Sequence, residues 1–111
     1  MKICITSKGA TLDSPVEERF GRAPYFIIID TETEKFEAVE NQFAQGAGGV
    51  GPRAAQLIIS RDAKALVSGQ VGGNALAALA AAGIEMFAYR GTGTVQDAFN
   101  QFRNGALQRA G

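Results

Sequence analysis

Apolar residues fall along this chain in short unbroken runs. "KICIT" (2–6) and "YFIIID" (25–30) place β-branched and aromatic residues at consecutive positions, the pattern of strands covered on both faces. "KFEAVE" instead mixes Phe36, Ala38 and Val39 with Lys35, Glu37 and Glu40 after the polar turn "TETE", which predicts a hairpin ending in an edge strand. "KALVSG" and "EMFAY" predict two further short, buried strands.

Between and after these runs the spacing turns helical. Ser14, Pro15 and Glu17 fit an N-cap, a first helical position and a capping-box partner, predicting a single helical turn. After "GAGGVG", Pro52 stands where a first helical residue should, and Ala54, Ala55, Ile58 and Ile59 recur at helical spacing. "GGNALAALAAAGI" reads as an alanine-rich helix with Asn74 as N-cap and Gly83 as its left-handed stop. In "RGTGTVQDAFNQFRNG", Thr94 and Asp97 form a cap, Val95, Ala98, Phe99 and Phe102 form an apolar stripe, and Gly105 ends the helix. The final "ALQRAG" is expected to fray.

The order is strand, strand, strand, helix, strand, helix, strand, helix. A hairpin joined to two crossover units predicts one α/β domain over residues 1–111. Its architecture is a three-layer α/β/α sandwich around a five-stranded mixed sheet, with the second strand antiparallel to the others.

Composition narrows the chemistry. Eleven basic residues balance eleven acidic ones, so there is no general attraction for nucleic acid or an anionic membrane. The apolar runs are far shorter than the roughly 20 residues of a membrane span, and "MKICITS" lacks the parts of a secretory signal. With a single cysteine, Cys4, a reducing cytoplasmic setting is expected. Cys4 sits in an apolar strand and reads as a small buried hydrophobe. The chain has no histidine, which excludes Ser-His-Asp and Cys-His catalysis and histidine-dependent zinc sites. No nucleophile and base pair is visible, so an enzyme is not expected.

The topology gathers the informative loops. If strands one, three, four and five run the same way, the segments 8–24, 41–51, 69–73 and 90–93 emerge at one carboxyl edge, where open α/β sheets bind ligands. Three of these are glycine-rich and lead into helix N-termini, whose unpaired N–H groups favour anions. Arg22, Arg53 and Arg90 lie in or beside them, against Asp13, Glu17 and Glu18. Each dipole contributes about 0.3–1 kcal/mol, whereas micromolar affinity needs roughly 8 kcal/mol. Arginines or an apolar wall must supply the rest. The candidate ligand residues are Arg22, Gly46, Gly48, Gly49, Gly51, Arg53, Gly69, Gly72, Gly73, Asn74, Gly91 and Thr92. Gly91, with Gly93, reads equally well as an ordinary turn glycine.

Gly46, Gly48 and Gly51 satisfy G-x-G-x-x-G, but the context is wrong for a dinucleotide. The loop follows an edge strand by several residues, and the next strand ends in Val67, Ser68 and Gly69 without the acid that would hold a ribose. No G-K-[ST] follows the glycines, which excludes a P-loop.

Three stretches, "LDSPVEERFGRAPYFIIID", "GAGGVGPRAAQLI" and "ALVSGQVGGNALAALAAAGIEMF", together resemble the dinitrogenase iron–molybdenum cofactor biosynthesis family over nearly the whole chain. The resemblance implies a ribonuclease H-like fold with strand order 3-2-1-4-5. It also implies cargo: characterised members carry or store anionic iron–sulfur or molybdenum-containing clusters, one of them a mixed molybdenum–copper sulfide. Members that bind the iron–molybdenum cofactor are expected to use histidine or cysteine, and this chain has neither near its loops. A nuclease of the same fold would need carboxylates on the central strands, and "KICITS" and "ALVS" contain none.

The expectation is a non-enzymatic binding or carrier protein for an anionic iron- or molybdenum-containing sulfide cluster, or a similar oxyanion. A cluster donor or acceptor protein would be its partner, with no nucleic acid or membrane. The alternative is a regulatory or protein-interaction module that uses the same loops without a cluster.

Overall fold

A computed structural model of the chain describes residues 1–46 and 50–110. The elements in order are β1 (Lys2–Ser7), a 3-10 turn (Phe20–Arg22), β2 (Tyr25–Asp30), β3 (Phe36–Glu40), α1 (Val50–Ile59), β4 (Ala63–Ser68), α2 (Gly73–Ala81), β5 (Glu85–Ala88), α3 (Val95–Arg103) and β6 (Gln108–Arg109). They form one six-stranded sheet in the order β3-β2-β1-β4-β5-β6. β2 runs antiparallel to both β1 and β3, while β1, β4 and β5 are parallel. The first five strands therefore follow the expected order and directions.

Side chains that alternate along each strand go to opposite layers. Cys4, Phe26, Ile28 and Leu66 pack with Ala54, Ala55, Ile58, Ala75 and Leu79 of α1 and α2. Ile3, Ile5, Ile27, Ile29, Ala65 and Val67 pack with Val95, Ala98 and Phe99 of α3. This is why the β1 and β2 runs are apolar at consecutive positions: each strand feeds two cores. The small residues of α1 and α2 let the helices approach, with a Cβ added at Gly51 only 3.2 Å from Ala75 Cβ.

Several local expectations are corrected. Ser14 to Glu17 does not form a helical turn; Val16 bridges Ser7, and Pro15 bridges Thr94. The Ser14 hydroxyl accepts from the Thr11 N–H at 3.2 Å, and its carbonyl accepts from the Val95 N–H at 2.9 Å. Long-range pairing with the start of α3 thus replaces the local capping box. Asn74 is not the N-cap of α2. The helix starts at Gly73 with Gly72 as its cap. Helix α1 begins at Val50, two residues before Pro52. Proline is tolerated there because the first turn has no intrahelical N–H bonds to lose.

Residues 108–110 join the sheet. β6 pairs antiparallel with β5, and the Ala110 N–H donates to Met86 O at 2.7 Å. The sheet therefore has six strands rather than five. Gly83 and Gly105 do end α2 and α3 with φ of +78° and +70°, a conformation glycine adopts without strain. Among the described residues, no helix is long and apolar enough to cross a membrane.

Candidate functional site at the carboxyl edge of the sheet

The segment after β1 folds across the ends of β4 and β5. The Thr6 hydroxyl donates to Glu17 O at 2.7 Å and lies 3.1 Å from Ser68 Oγ. The Gln70 N–H donates to Glu18 O at 2.6 Å, and the Phe20 N–H donates to Gln70 O at 2.9 Å. The backbones are so close that a Cβ at Gly69 would sit 2.7 Å from Glu18 O. On the β5 side, the Val16 N–H donates to Gly93 O at 3.1 Å.

The segment after β3 is tied to the same loop. Arg22 Nη1 donates to Ala44 O at 3.0 Å and to Gly46 O at 2.9 Å. Asn41 Nδ2 donates to Gly21 O at 3.2 Å and Ala23 O at 2.9 Å. All four carboxyl-edge loops thus meet along one rim.

Three helices start at this rim, and their starts differ. Thr94 caps α3, its hydroxyl accepting the Asp97 N–H at 3.2 Å while the Asp97 carboxylate accepts the Thr94 N–H at 3.0 Å. α2 has no such closure: no side chain caps Gly72, and its first turn holds no acid. The Leu76 N–H makes the first bond, to Gly72 O at 2.8 Å, leaving the N–H groups of Gly73, Asn74 and Ala75 ahead of it. A Cβ at Gly72 or Gly73 would meet nothing within 4 Å, and neither residue has a positive φ. No steric or conformational need of the fold explains this glycine pair. The first turn of α1 also lacks an acid and carries exposed Arg53, whose guanidinium lies 5.8 Å from the Phe43 ring centroid.

The site residues expected from the sequence sort accordingly. Gly72, Gly73 and Asn74 form the start of α2; Gly51 and Arg53 form that of α1 beside it. Gly69, Gly91 and Thr92 line a cavity of about 180 Å³ together with Val16, Glu18, Tyr89 and Arg90. Gly46 belongs to the loop that Arg22 braces. Gly48 and Gly49 lie outside the described residues. Arg22 is exposed, and its Nη1 is engaged by two carbonyls of its own chain.

Tyr89 was not expected. It reads as the last residue of a strand, yet β5 stops at Ala88 and the Tyr89 hydroxyl accepts the Gly93 N–H at 3.0 Å. The signal was the spacing in "YRGTG", an aromatic hydroxyl followed by two glycines. A Cβ at Gly91 would sit 2.8 Å from that hydroxyl, so the glycines make room for it.

The rim offers donors and cations rather than metal ligands. Among the described residues there is no group of three His, Cys, Asp or Glu able to hold a metal ion. Cys4 is buried in β1, and burial pushes its thiol far up, away from the thiolate that metals bind. Unpaired N–H groups at helix starts and arginine side chains are groups that favour anions.

Known proteins agree with this architecture. The family model described as dinitrogenase iron-molybdenum cofactor matches residues 1–105. The apo form of the orange protein from Desulfovibrio gigas is 36% identical, with a TM-score of 0.94 over 98% of this chain and 92% of that one. A proposed NifB protein from Thermotoga is 41% identical, with a TM-score of 0.86 over 97% of this chain and 91% of that one. A proposed dinitrogenase from Methanocaldococcus jannaschii shares the fold, at 18% identity and a TM-score of 0.72 over 99% of this chain and 94% of that one. No curated protein sequence matches the chain. On the family match and these likenesses, the chain belongs to the dinitrogenase iron–molybdenum cofactor family.

Proposed function

We propose that this protein is a non-enzymatic carrier that takes an anionic metal–sulfur cluster, of iron–sulfur or molybdenum type, as cargo at the carboxyl edge. The observation that carries the reading is the start of α2: an uncapped helix end with no acid in its first turn and two glycines that the fold does not need. Family membership and the likeness to the orange protein support the choice of cargo.

The N–H groups of Gly73, Asn74 and Ala75 provide donors for sulfide or oxide, and the dipole favours their negative charge. Arg53 in the first turn of α1 adds a cation where the dipole already disfavours one. A bound anion relieves that tension. Because no side chain coordinates the metal, the cargo keeps its own ligands and can pass intact to an acceptor protein.

The test is reconstitution of the folded protein with molybdate, sulfide and a copper or iron source, followed by gel filtration. A visible absorption band that elutes with the protein at a fixed metal-to-protein ratio is expected. A chromophore that separates from the protein contradicts the reading.

One observation favours a second reading, a protein-interaction module without a cluster. Arg22 braces the loop after β3, which suits a surface kept in shape for a partner. Single variants separate the two: Arg53→Ala weakens chromophore retention in a carrier, whereas Arg22→Ala loses the partner of a module that retains no chromophore.

A further inference from the structure

The rim also carries a cavity whose lining does not include the start of α2. Tyr89 is only 5% exposed, and its hydroxyl oxygen accepts the Gly93 N–H. Among the described residues, no acceptor takes the proton of that hydroxyl. A buried donor without an acceptor costs free energy unless something fills the role. Tyr89 lines the cavity of about 180 Å³, and a Cβ at Gly91 or Gly93 would collide with its hydroxyl. The turn from β5 to α3 is built to leave that oxygen room.

The charges around it are unequally engaged. The Glu17 carboxylate accepts the Arg19 N–H at 3.0 Å, and the Glu18 carboxylate accepts from Gln70 Nε2 at 3.3 Å. Arg90, on the wall of the cavity, and Lys8, on the adjoining cleft, have no carboxylate partner among the described residues. At a liquid-water share of about 30 Å³ per molecule, the space holds a few waters or one small anion.

We propose that this cavity seats a small inorganic oxo- or thio-anion, which accepts the Tyr89 hydroxyl proton in a hydrogen bond and takes Arg90 as its counter-charge. The inference rests on the carrier reading only in expecting such anions at this rim. The cap of α3 is already closed by Thr94 and Asp97, so the seat does not depend on a helix end.

Two tyrosines and no tryptophan make tyrosine fluorescence a direct reporter. Sodium molybdate, and separately sodium sulfate, is titrated at constant ionic strength while equilibrium dialysis measures binding. Wild type and Tyr25→Phe are expected to show a saturable fluorescence change. Tyr89→Phe removes one oxygen; it is expected to lose the change and bind molybdate about tenfold more weakly, as for one lost hydrogen bond to an anion. Arg90→Gln, at an exposed position, is expected to weaken binding with an unchanged melting temperature, which guards against a folding defect in Tyr89→Phe. Wild-type affinity for molybdate in both variants, or no saturable binding of either anion to wild type, overturns the proposal. Cluster retention is scored separately. Loss of retention in wild type with the Tyr89 signal intact would sink the carrier reading and leave this seat standing.

Discussion

The starts of α2 and α3 lie on the same rim and solve the same problem in opposite ways. α3 satisfies its own first turn through Thr94 and Asp97. α2 offers Gly72 with no capping side chain. A capping side chain is worth only a few tenths of a kcal/mol over the glycine that stands at this N-cap, so the open end forgoes a small gain that one substitution would supply. The contrast separates a start that the fold closes for its own sake from one that the proposed cargo would occupy.

The largest effect in this comparison belongs to a glycine with a structural duty. Gly69→Ala drives a Cβ to 2.7 Å from Glu18 O and is expected to cost about 1–3 kcal/mol, read as a lowered urea midpoint. Gly73→Ala meets nothing within 4 Å and is expected to stabilise by about 0.4–1 kcal/mol. Equal losses in both would erase the distinction drawn between the two glycines.

Opening the closed end comes next. Thr94→Ala removes the side chain that accepts the Asp97 N–H and is expected to cost about 1 kcal/mol. Cargo retention should stay as in wild type. Retention that falls as stability falls would show that the α3 start also takes part in binding.

The smallest effect lies at the other edge of the sheet. Backbone N–H groups of Glu32 and Thr33 hold the Asp30 carboxyl below its ordinary value, aided by the N-terminus and Lys2. A depressed folded value means that its contribution is present above the ordinary carboxylate range and is lost as pH falls through the folded value. Asp30→Asn should therefore flatten the acid limb of a stability profile below about pH 4 and leave cargo retention unchanged. An acid limb identical to wild type would contradict this.

Much of the fold was legible because it follows from pattern. Consecutive apolar positions in β1 and β2 mark strands between two cores, and the T-x-x-D before the stripe of Val95, Ala98 and Phe99 marks the start of α3. What stayed hidden was decided at long range. Ser14 and Glu17 carry a capping signature, yet Ser14 O is taken by Val95 and the Glu17 N–H by Thr6. β6 is only Gln108 and Arg109, too short for any periodicity to reveal.

The candidate site divides along the same line. Its placement at the carboxyl edge follows from strand direction alone, so the glycine loops could be assigned to one rim. The roles of single residues depend on side-chain reach. Arg22 lies along the surface onto Ala44 and Gly46, and Asn74 sits one position inside the helix it was expected to cap. Tyr89, at the end of an apolar run, owes its place to a hydrogen bond with Gly93 that spacing only hints at.

Gly72→Asp puts the open end of α2 to the most direct test. It gives the helix a capping carboxylate, which should stabilise the fold by a few tenths of a kcal/mol, while placing a negative charge where the anion is proposed to sit. The account predicts a melting temperature equal to or slightly above that of wild type, together with loss of the retained visible band after gel filtration. A variant that keeps the full band would show that the start of α2 is not where the cargo is held.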